Sequence, residues 1–246
     1  MLGNVAVTAI VAAGGNGSRL EMAGGKQMLA LAGRPLLAWT VEAVAATSCV
    51  DEIVVVCDPA RVDEYERAVC DEIDIEAYEV SLRFVAGGAT RSESVRCGLD
   101  VVTARDGLVA IHDGARPFIA PETVQAACKK LFSAGVDGVA VGYPMVDTMK
   151  RVDGEVVCET PDRSRYWAVQ TPQIFRFERL LAAYEHAVAR NIDATDDAAL
   201  VEADGGTVIM FEGPRDNIKI TRSEDVTIAE AILERKTREN GETGTA

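Results

Sequence analysis

Arg19 and Lys26 stand in a stretch that reads Ala12-Ala13-Gly14-Gly15-Asn16-Gly17-Ser18-Arg19-Leu20-Glu21-Met22-Ala23-Gly24-Gly25-Lys26, with five glycines among its 15 residues. It follows the apolar run Val5–Val11 directly. Without a Cβ, glycine backbone lets N–H groups approach an anion closely. The two cations can then take opposite sides of one phosphate. Two familiar phosphate loops do not fit. A Walker A loop needs Ser or Thr after Gly-Lys, and Gln27 stands there. A dinucleotide fingerprint needs a third glycine where Leu20 stands. An ordinary strand-to-helix turn needs neither so many glycines nor two cations.

Further polar clusters fall after apolar runs, where open α/β sheets bind ligands. Gly87-Gly88-Ala89-Thr90-Arg91-Ser92-Glu93-Ser94 follows Val85. Its Arg91 and Ser94 can bond a polar ligand. Thr90 with Glu93 also reads as a capping box, and a capped helix start binds anions too. His112-Asp113-Gly114-Ala115-Arg116-Pro117 ends another apolar run. Asp113 is placed to meet a metal ion or a sugar hydroxyl, and Arg116 to pair with a carboxylate. His112, inside the run, reads as a hydrogen-bonded core residue. Weaker signals are Asp147-Thr148, Asp162-Arg163, Gln170-Thr171-Pro172-Gln173 and Arg215-Asp216-Asn217-Ile218-Lys219-Ile220-Thr221. Thr195-Asp196-Asp197 reads as a helix cap with first-turn acids.

Composition limits the chemistry. Net charge is −14, which disfavours duplex nucleic acid and anionic membranes as partners. Phosphate binding therefore needs a local cationic cluster inside an acidic envelope. No run of about 18 apolar residues exists, and the N-terminus lacks the basic region of a signal peptide. Six scattered cysteines without a C-x-x-C pair fit a reducing cytoplasm better than a disulfide framework. With His112 and His186 the only histidines, any metal is expected to be a hard ion on oxygen ligands, Mg²⁺.

The elements that must position these groups alternate. Strands are predicted at Val5–Val11, Ile53–Cys57, Leu82–Val85, Leu108–His112, Val136–Val141 and Thr207–Phe211. Helices are predicted near 35–47, 60–71, 91–104, 121–134, 176–190 and 223–238. Val/Ile runs separated by helices imply an α/β fold, a parallel sheet covered on both faces. Within 144–168, Asp153-Gly154 between extended runs signals a β-hairpin. A lone hairpin is marginal in water, so this arm is expected to pack on a second subunit. The chain reads as one domain over 1–238, with a disordered tail over 239–246.

In order, A-A-G, G-x-R, K-Q, G-G-x-x-R-x-x-S, H-D-x-A-R-P, D-T-x-K, D-R, T-P-Q and D-N-I-K-x-T resemble the 2-C-methyl-D-erythritol 4-phosphate cytidylyltransferases of the non-mevalonate isoprenoid pathway. The match runs from about residue 5 to about 235. The resemblance implies a Rossmann-like nucleotidyltransferase fold with a mostly parallel twisted sheet. It also implies CTP and a sugar-alcohol phosphate as substrates, Mg²⁺ as cofactor, and a homodimer with interlocking hairpin arms. It implies that Ala12, Ala13, Gly14, Gly15 and Gly17 wrap the triphosphate, with Arg19 and Lys26 stabilising the transition state. Arg163 and Lys219 would hold the methylerythritol phosphate in a pocket lined by Thr148 and Thr171. Gly88, Arg91 and Ser94 match the cytidine segment, and Asp113 a residue near the metal and sugar hydroxyls.

Three departures stand out. The glycine loop is one residue longer than usual, Gly25 replaces a usual proline, and Ala89 stands where many members carry an acid. Cytosine is then expected to be read mainly by backbone groups. A ribitol 5-phosphate cytidylyltransferase of the same fold fits the same residues, and a nucleotide-binding module without catalysis is the more distant alternative.

Overall fold

The computed structural model describes residues 5–14, 28–192 and 194–243. Strands β1 (Val7–Ala12), β4 (Glu52–Cys57), β5 (Ser81–Ala86), β6 (Leu108–Asp113), β7 (Gly138–Pro144), β10 (Trp167–Arg176) and β11 (Val208–Glu212) form one sheet in the order β11-β7-β10-β6-β1-β4-β5. All neighbours run parallel except β10, which is antiparallel to both β6 and β7. Two small antiparallel pairs stand apart: β2 (Ala30–Leu31) with β3 (Arg34–Pro35), and β8 (Arg151–Asp153) with β9 (Val156–Glu159).

Strand periodicity divides the core. Val7, Ala9 and Val11 face a layer built from α1 (Leu36–Ala45), α2 (Val62–Cys70) and α4 (Pro121–Ala134). Ile10, Val54, Val56 and Ile111 face the other layer, from α3 (Arg91–Asp100), α5 (Phe177–Arg190) and α6 (Asp197–Ala203). The last helix, α7 (Ser223–Thr243), adds a third cluster through Ala229, against Leu31, Leu36 and Phe118. Burial on both sheet faces explains why the strands read as unbroken apolar runs.

Helix boundaries follow local chemistry. Pro121 occupies the first turn of α4, where its missing N–H costs nothing, and Gly135 closes that helix at φ +64°. Thr90 and Glu93 form the capping box of α3. Gly98 lets α3 approach the sheet: a Cβ there would lie 2.7 Å from Ile10 Cγ2 and 3.0 Å from Val56 Cγ2.

The structure corrects the sequence reading in three places. The six predicted strands omit β10, whose apolar pattern is broken by Gln170, Thr171, Pro172 and Gln173. These polar residues are buried because each finds a partner. Gln173 donates to Asp196 Oδ2 at 2.7 Å and accepts the Ala198 N–H at 2.9 Å. Pro172, with no N–H for the ladder, falls where the pairing register shifts between Val169 and Gln173. Second, α3 ends at Asp100 rather than 104, in a turn where Val101 and Val102 bond back to Gly98 and Leu99. Third, α7 continues to Thr243, past the predicted helix end near 238. Arg235 pairs with Glu239 one turn on, at 3.6 Å, so the polar tail carries its own helix-compatible contacts. The Asp153-Gly154 hairpin forms, with Gly154 at φ +57° in its turn. Val152, Val156 and Val157 on it are each more than half exposed.

Gly98→Val is expected to lower stability by about 1–3 kcal/mol, the usual cost of overpacking a close contact. Urea unfolding followed by far-UV circular dichroism measures it, as a lower midpoint at unchanged slope.

Candidate active site

Asp113 closes β6 and pairs in register with Ala12 at the end of β1. The chain leaves β1 toward the glycine stretch there, so the two strand ends open on one crevice. Gly114 N–H donates to the Ala12 carbonyl at 3.0 Å, and Thr40 Oγ1 donates to the Gly114 carbonyl at 3.0 Å. Ala13 N–H bonds the Val56 carbonyl at 2.7 Å, and Gly87 N–H the Cys57 carbonyl at 2.8 Å. The carboxyl ends of β1, β4 and β5 are thus stitched side by side. A Cβ on Gly14 would lie 3.3 Å from Ser94 Oγ, so the start of the glycine stretch and the first turn of α3 are close neighbours.

The Asp113 carboxylate is the hub. Lys219 Nζ lies 2.7 Å from Oδ2, Arg116 Nε 3.5 Å from the same oxygen, and Arg91 Nε 3.3 Å from Oδ1. Burial pushes the Asp113 carboxyl up, but Lys219, Arg91 and Arg116 outweigh it and hold the group well below the usual carboxylate range. Arg116 lies largely buried, with Nη1 donating to the Asn217 carbonyl at 2.8 Å. Asn217, fully buried, donates from Nδ2 to the Thr171 carbonyl at 2.9 Å and to Gln170 Oε1 at 3.2 Å. Ile220 N–H bonds the Ala115 carbonyl at 2.9 Å. These bonds dock the segment carrying Lys219 onto β6 and β10.

His112 is buried and bonded at both ring nitrogens. The Arg116 carbonyl can only accept, so Nε2 carries the proton and donates to it at 3.0 Å. Nδ1 then accepts from Thr171 Oγ1 at 3.1 Å, and Thr171 Oγ1 accepts the Asp113 N–H at 3.0 Å. Burial pushes the His112 pKa down to about 4, against the pull of the Arg116 carbonyl and the Asp113 charge. A neutral imidazole with neither nitrogen free is a scaffold, not a proton carrier.

The cytidine-segment residues are arranged as follows. Gly88 N–H donates to Ser94 Oγ at 3.2 Å, and Ser94 Oγ donates to the Thr90 carbonyl at 2.9 Å. A Cβ on Gly88 would fall 2.3 Å from Glu93 Cβ, so only glycine fits. The Ala89 and Thr90 N–H groups both go to Glu93 Oε2, at 2.6 and 3.0 Å. The backbone donor beside the missing acid at position 89 is therefore already engaged.

Among the expected site residues, the structure brings together Gly14, Gly88, Arg91, Ser94, Asp113, Thr171 and Lys219 with the ends of Ala12 and Ala13. Thr148 and Arg163 lie exposed in the arm segment, where Arg163 Nη1 donates to the Val146 carbonyl at 2.5 Å. Gly15, Gly17, Arg19 and Lys26 lie outside the described residues. Among the described residues no group of three His, Cys, Asp or Glu side chains is placed to hold a metal ion. Asp113 is a single hard-oxygen donor, and Mg²⁺ commonly takes one or two carboxylates with the rest of its shell from substrate phosphates. No helix among these residues is long and apolar enough to cross a membrane.

The chain is similar to known proteins over nearly its whole length. The family model described as 2-C-methyl-D-erythritol 4-phosphate cytidylyltransferase matches residues 7–235. Curated proteins of that name from Syntrophotalea carbinolica and Desulforamulus reducens are each 38% identical to the chain. The first aligns over 94% of this chain and 97% of its own length, the second over 96% and 98%. The crystal structure of 4-diphosphocytidyl-2C-methyl-D-erythritol synthase from Anaerococcus prevotii superimposes with a TM-score of 0.80 at 30% identity, over 94% of this chain and 96% of that one. The 2-C-methyl-D-erythritol 4-phosphate cytidylyltransferase of Thermus thermophilus does so with 0.72 at 31%, over 94% and 98%.

The depressed His112 pKa predicts a pH dependence. Its unfolded value is 6.5 and its folded value about 4. Below pH 6.5 the unfolded chain binds the extra proton, so stability falls as pH drops from 6.5 toward 4, by about 3 kcal/mol in total. In that window Asp113 stays ionised in both states for the most part, and its own contribution is lost only at lower pH. Urea unfolding at pH 7 and pH 4.5 is expected to show this loss in the wild type. His112→Gln is expected to have a shallower slope by about one proton.

Proposed function

The chain belongs to the 2-C-methyl-D-erythritol 4-phosphate cytidylyltransferase family, and from that premise we propose how its residues join 2-C-methyl-D-erythritol 4-phosphate to CTP with release of pyrophosphate. The attacking atom is a phosphate oxygen. A phosphate monoester has its second pKa near about 6, so it arrives largely dianionic at neutral pH. No general base is needed, and His112, neutral and bonded at both nitrogens, fits that.

The barrier is electrostatic. Two unit charges about 4 Å apart repel by about 4 kcal/mol at an effective dielectric near 20. Arg19 and Lys26 clasp the triphosphate, which the stretch Ala12, Ala13, Gly14, Gly15 and Gly17 wraps, with the Ala13 N–H already held by the Val56 carbonyl. They stabilise charge that builds on the α-phosphoryl oxygens. Lys219 and Arg163 hold the incoming alcohol phosphate in a pocket lined by Thr148 and Thr171. Gly88, Arg91 and Ser94 flank the cytidine. In-line placement of attacking and leaving oxygens supplies the remaining acceleration. A Mg²⁺ ion on the triphosphate would meet Asp113 as its one protein carboxylate, and when bound it neutralises phosphoryl charge. The arm over 144–168, with its exposed valines, is the surface we assign to a homodimer contact.

The observation that carries the reading is the Lys219 ammonium held 2.7 Å from Asp113 at the strand end beside the glycine stretch. A cation parked on a carboxylate at the mouth of a crevice is poised to be shared with a substrate anion. The test is pyrophosphate release from CTP with either 2-C-methyl-D-erythritol 4-phosphate or ribitol 5-phosphate as acceptor. The methylerythritol compound is expected to be used, and preferential use of ribitol phosphate would overturn the assignment.

Arg19→Ala or Lys26→Ala is expected to lower kcat by about 10²-fold or more, the usual scale for loss of one transition-state donor. Arg163→Ala is expected chiefly to raise KM for the alcohol phosphate. Steady-state kinetics, with calorimetry of CTP binding to the Arg163 variant, separate the two roles.

A further inference from the structure

Arg91 stands between two carboxylates, and only one of them belongs to the crevice. On one side its Nε lies 3.3 Å from Asp113 Oδ1. On the other its Nη2 lies 2.8 Å from Oδ2 of Asp197, the first residue of α6, which is fully buried. Tyr184, buried on α5, donates its hydroxyl to Asp197 Oδ1 at 2.5 Å. Burial and the Asp197 charge push the Tyr184 phenol up, so it remains a donor throughout the neutral range.

Asp197 does no capping work. Its neighbour Asp196 caps α6 by accepting the Ala199 N–H at 3.0 Å and also takes the Gln173 amide. An uncharged residue at position 197 would suit the helix as well. A buried carboxylate costs several kcal/mol unless it is paired, so its presence is explained by what it pairs with. Charges alternate along the row Asp197, Arg91, Asp113, Lys219. The Arg fork is rigid and planar. With Nη2 engaged by Asp197, the Nε edge alone is turned to Asp113. That leaves Asp113 Oδ2 for Lys219 and Arg116. Freed from Asp197, Arg91, its side chain 32% exposed, would reach both Asp113 oxygens or swing to solvent. The first move displaces Lys219 from Oδ2, and the second vacates Oδ1 so that Lys219 is no longer confined to Oδ2.

We propose that Asp197 and Tyr184 are positioning residues for the cytidylyl transfer, holding the Arg91 guanidinium so that Asp113 presents Lys219 to the incoming phosphate. The kinetic part of this proposal rests on the function proposed above.

The experiment compares full-length Asp197→Asn, Tyr184→Phe, Arg91→Lys and the double variant Asp197→Asn with Arg91→Lys. Asp197→Asn is expected to lower kcat by about 10-fold or more while KM for CTP moves less than about 2-fold, because misplacement acts on the transition state more than on binding. Tyr184→Phe is expected to lower kcat by a few-fold in the same pattern. The double variant is expected to be no slower than Arg91→Lys alone, since residues acting through one another are not additive. Multiplicative losses, or a rise in KM at unchanged kcat, would overturn the proposal. So would wild-type kcat in Tyr184→Phe, the milder variant that retains the Asp197 charge. A second readout is independent of turnover. The Arg91 Nε–H signal in a ¹⁵N spectrum, assigned by its absence in Arg91→Lys, is expected in the wild type and lost to solvent exchange in Asp197→Asn. Its persistence there would sink the strut. A wild type that releases no pyrophosphate while this signal behaves as expected would sink the functional reading instead.

Discussion

One carboxylate makes the rest of the crevice tenable. Lys219, Arg91 and Arg116 converge on Asp113, and without that negative charge the three would face one another with no anion between them. Like charges brought to about 4 Å repel by about 4 kcal/mol near a protein surface. The surrounding hydrogen bonds all act to keep this carboxylate in place. β6 delivers it, Thr171 of β10 accepts its N–H, and Thr40 of α1 holds the next carbonyl. Arg116 then returns to Asn217, and Asn217 to Thr171, which closes a ring through three separate parts of the chain.

On the proposed reading, that ring also bears on how an acidic protein would receive a polyanion. The chain carries a net charge of −14. Among the described residues at the crevice, three cations stand against two carboxylates, Asp113 and Asp197. The local surplus is positive although the envelope is not. Salt screens exposed charges beyond about 8 Å at physiological ionic strength. A phosphate bound there would therefore feel the cluster far more than the distant acidic surface. Recognition is short-ranged, and the geometry of a few side chains matters more than overall charge.

Periodicity and punctuation made most of the architecture legible. Both-face burial writes a strand as an unbroken Val/Ile run, and Thr90, Pro121 and Gly135 mark helix ends by their backbone chemistry. Asp113 stood out as a carboxylate at the end of such a run, and the expected pairing of Arg116 with a carboxylate is found on it. β10 was not, because a central strand built from Gln-Thr-Pro-Gln looks like a loop until its side chains are matched with Asp196 and Asn217. The roles of Asp197 and Tyr184 were hidden for a related reason. In Thr195-Asp196-Asp197 two acids compete for one cap, and only the fold shows which is spare. The surplus acid was the available signal. The arm residues Thr148 and Arg163 lie exposed, with Arg163 bonded only within the arm segment among the described residues, to the Val146 carbonyl.

The chemistry left to this crevice is set by what its one histidine cannot do. His112 sits one residue from the central carboxylate, where a proton carrier would be useful. Yet Nε2 is committed to the Arg116 carbonyl and Nδ1 to Thr171, and burial keeps the ring neutral down to about pH 4. Charging it would place a fourth positive group behind Asp113, with a buried proton on each nitrogen and only one carbonyl to accept. The imidazole instead fixes the Thr171 hydroxyl, which fixes the Asp113 backbone and so the aim of the carboxylate. In the proposed reaction a site arranged this way would supply orientation and opposite charge rather than proton transfer. Phosphate attack on phosphate asks for those two things, because its nucleophile arrives already deprotonated.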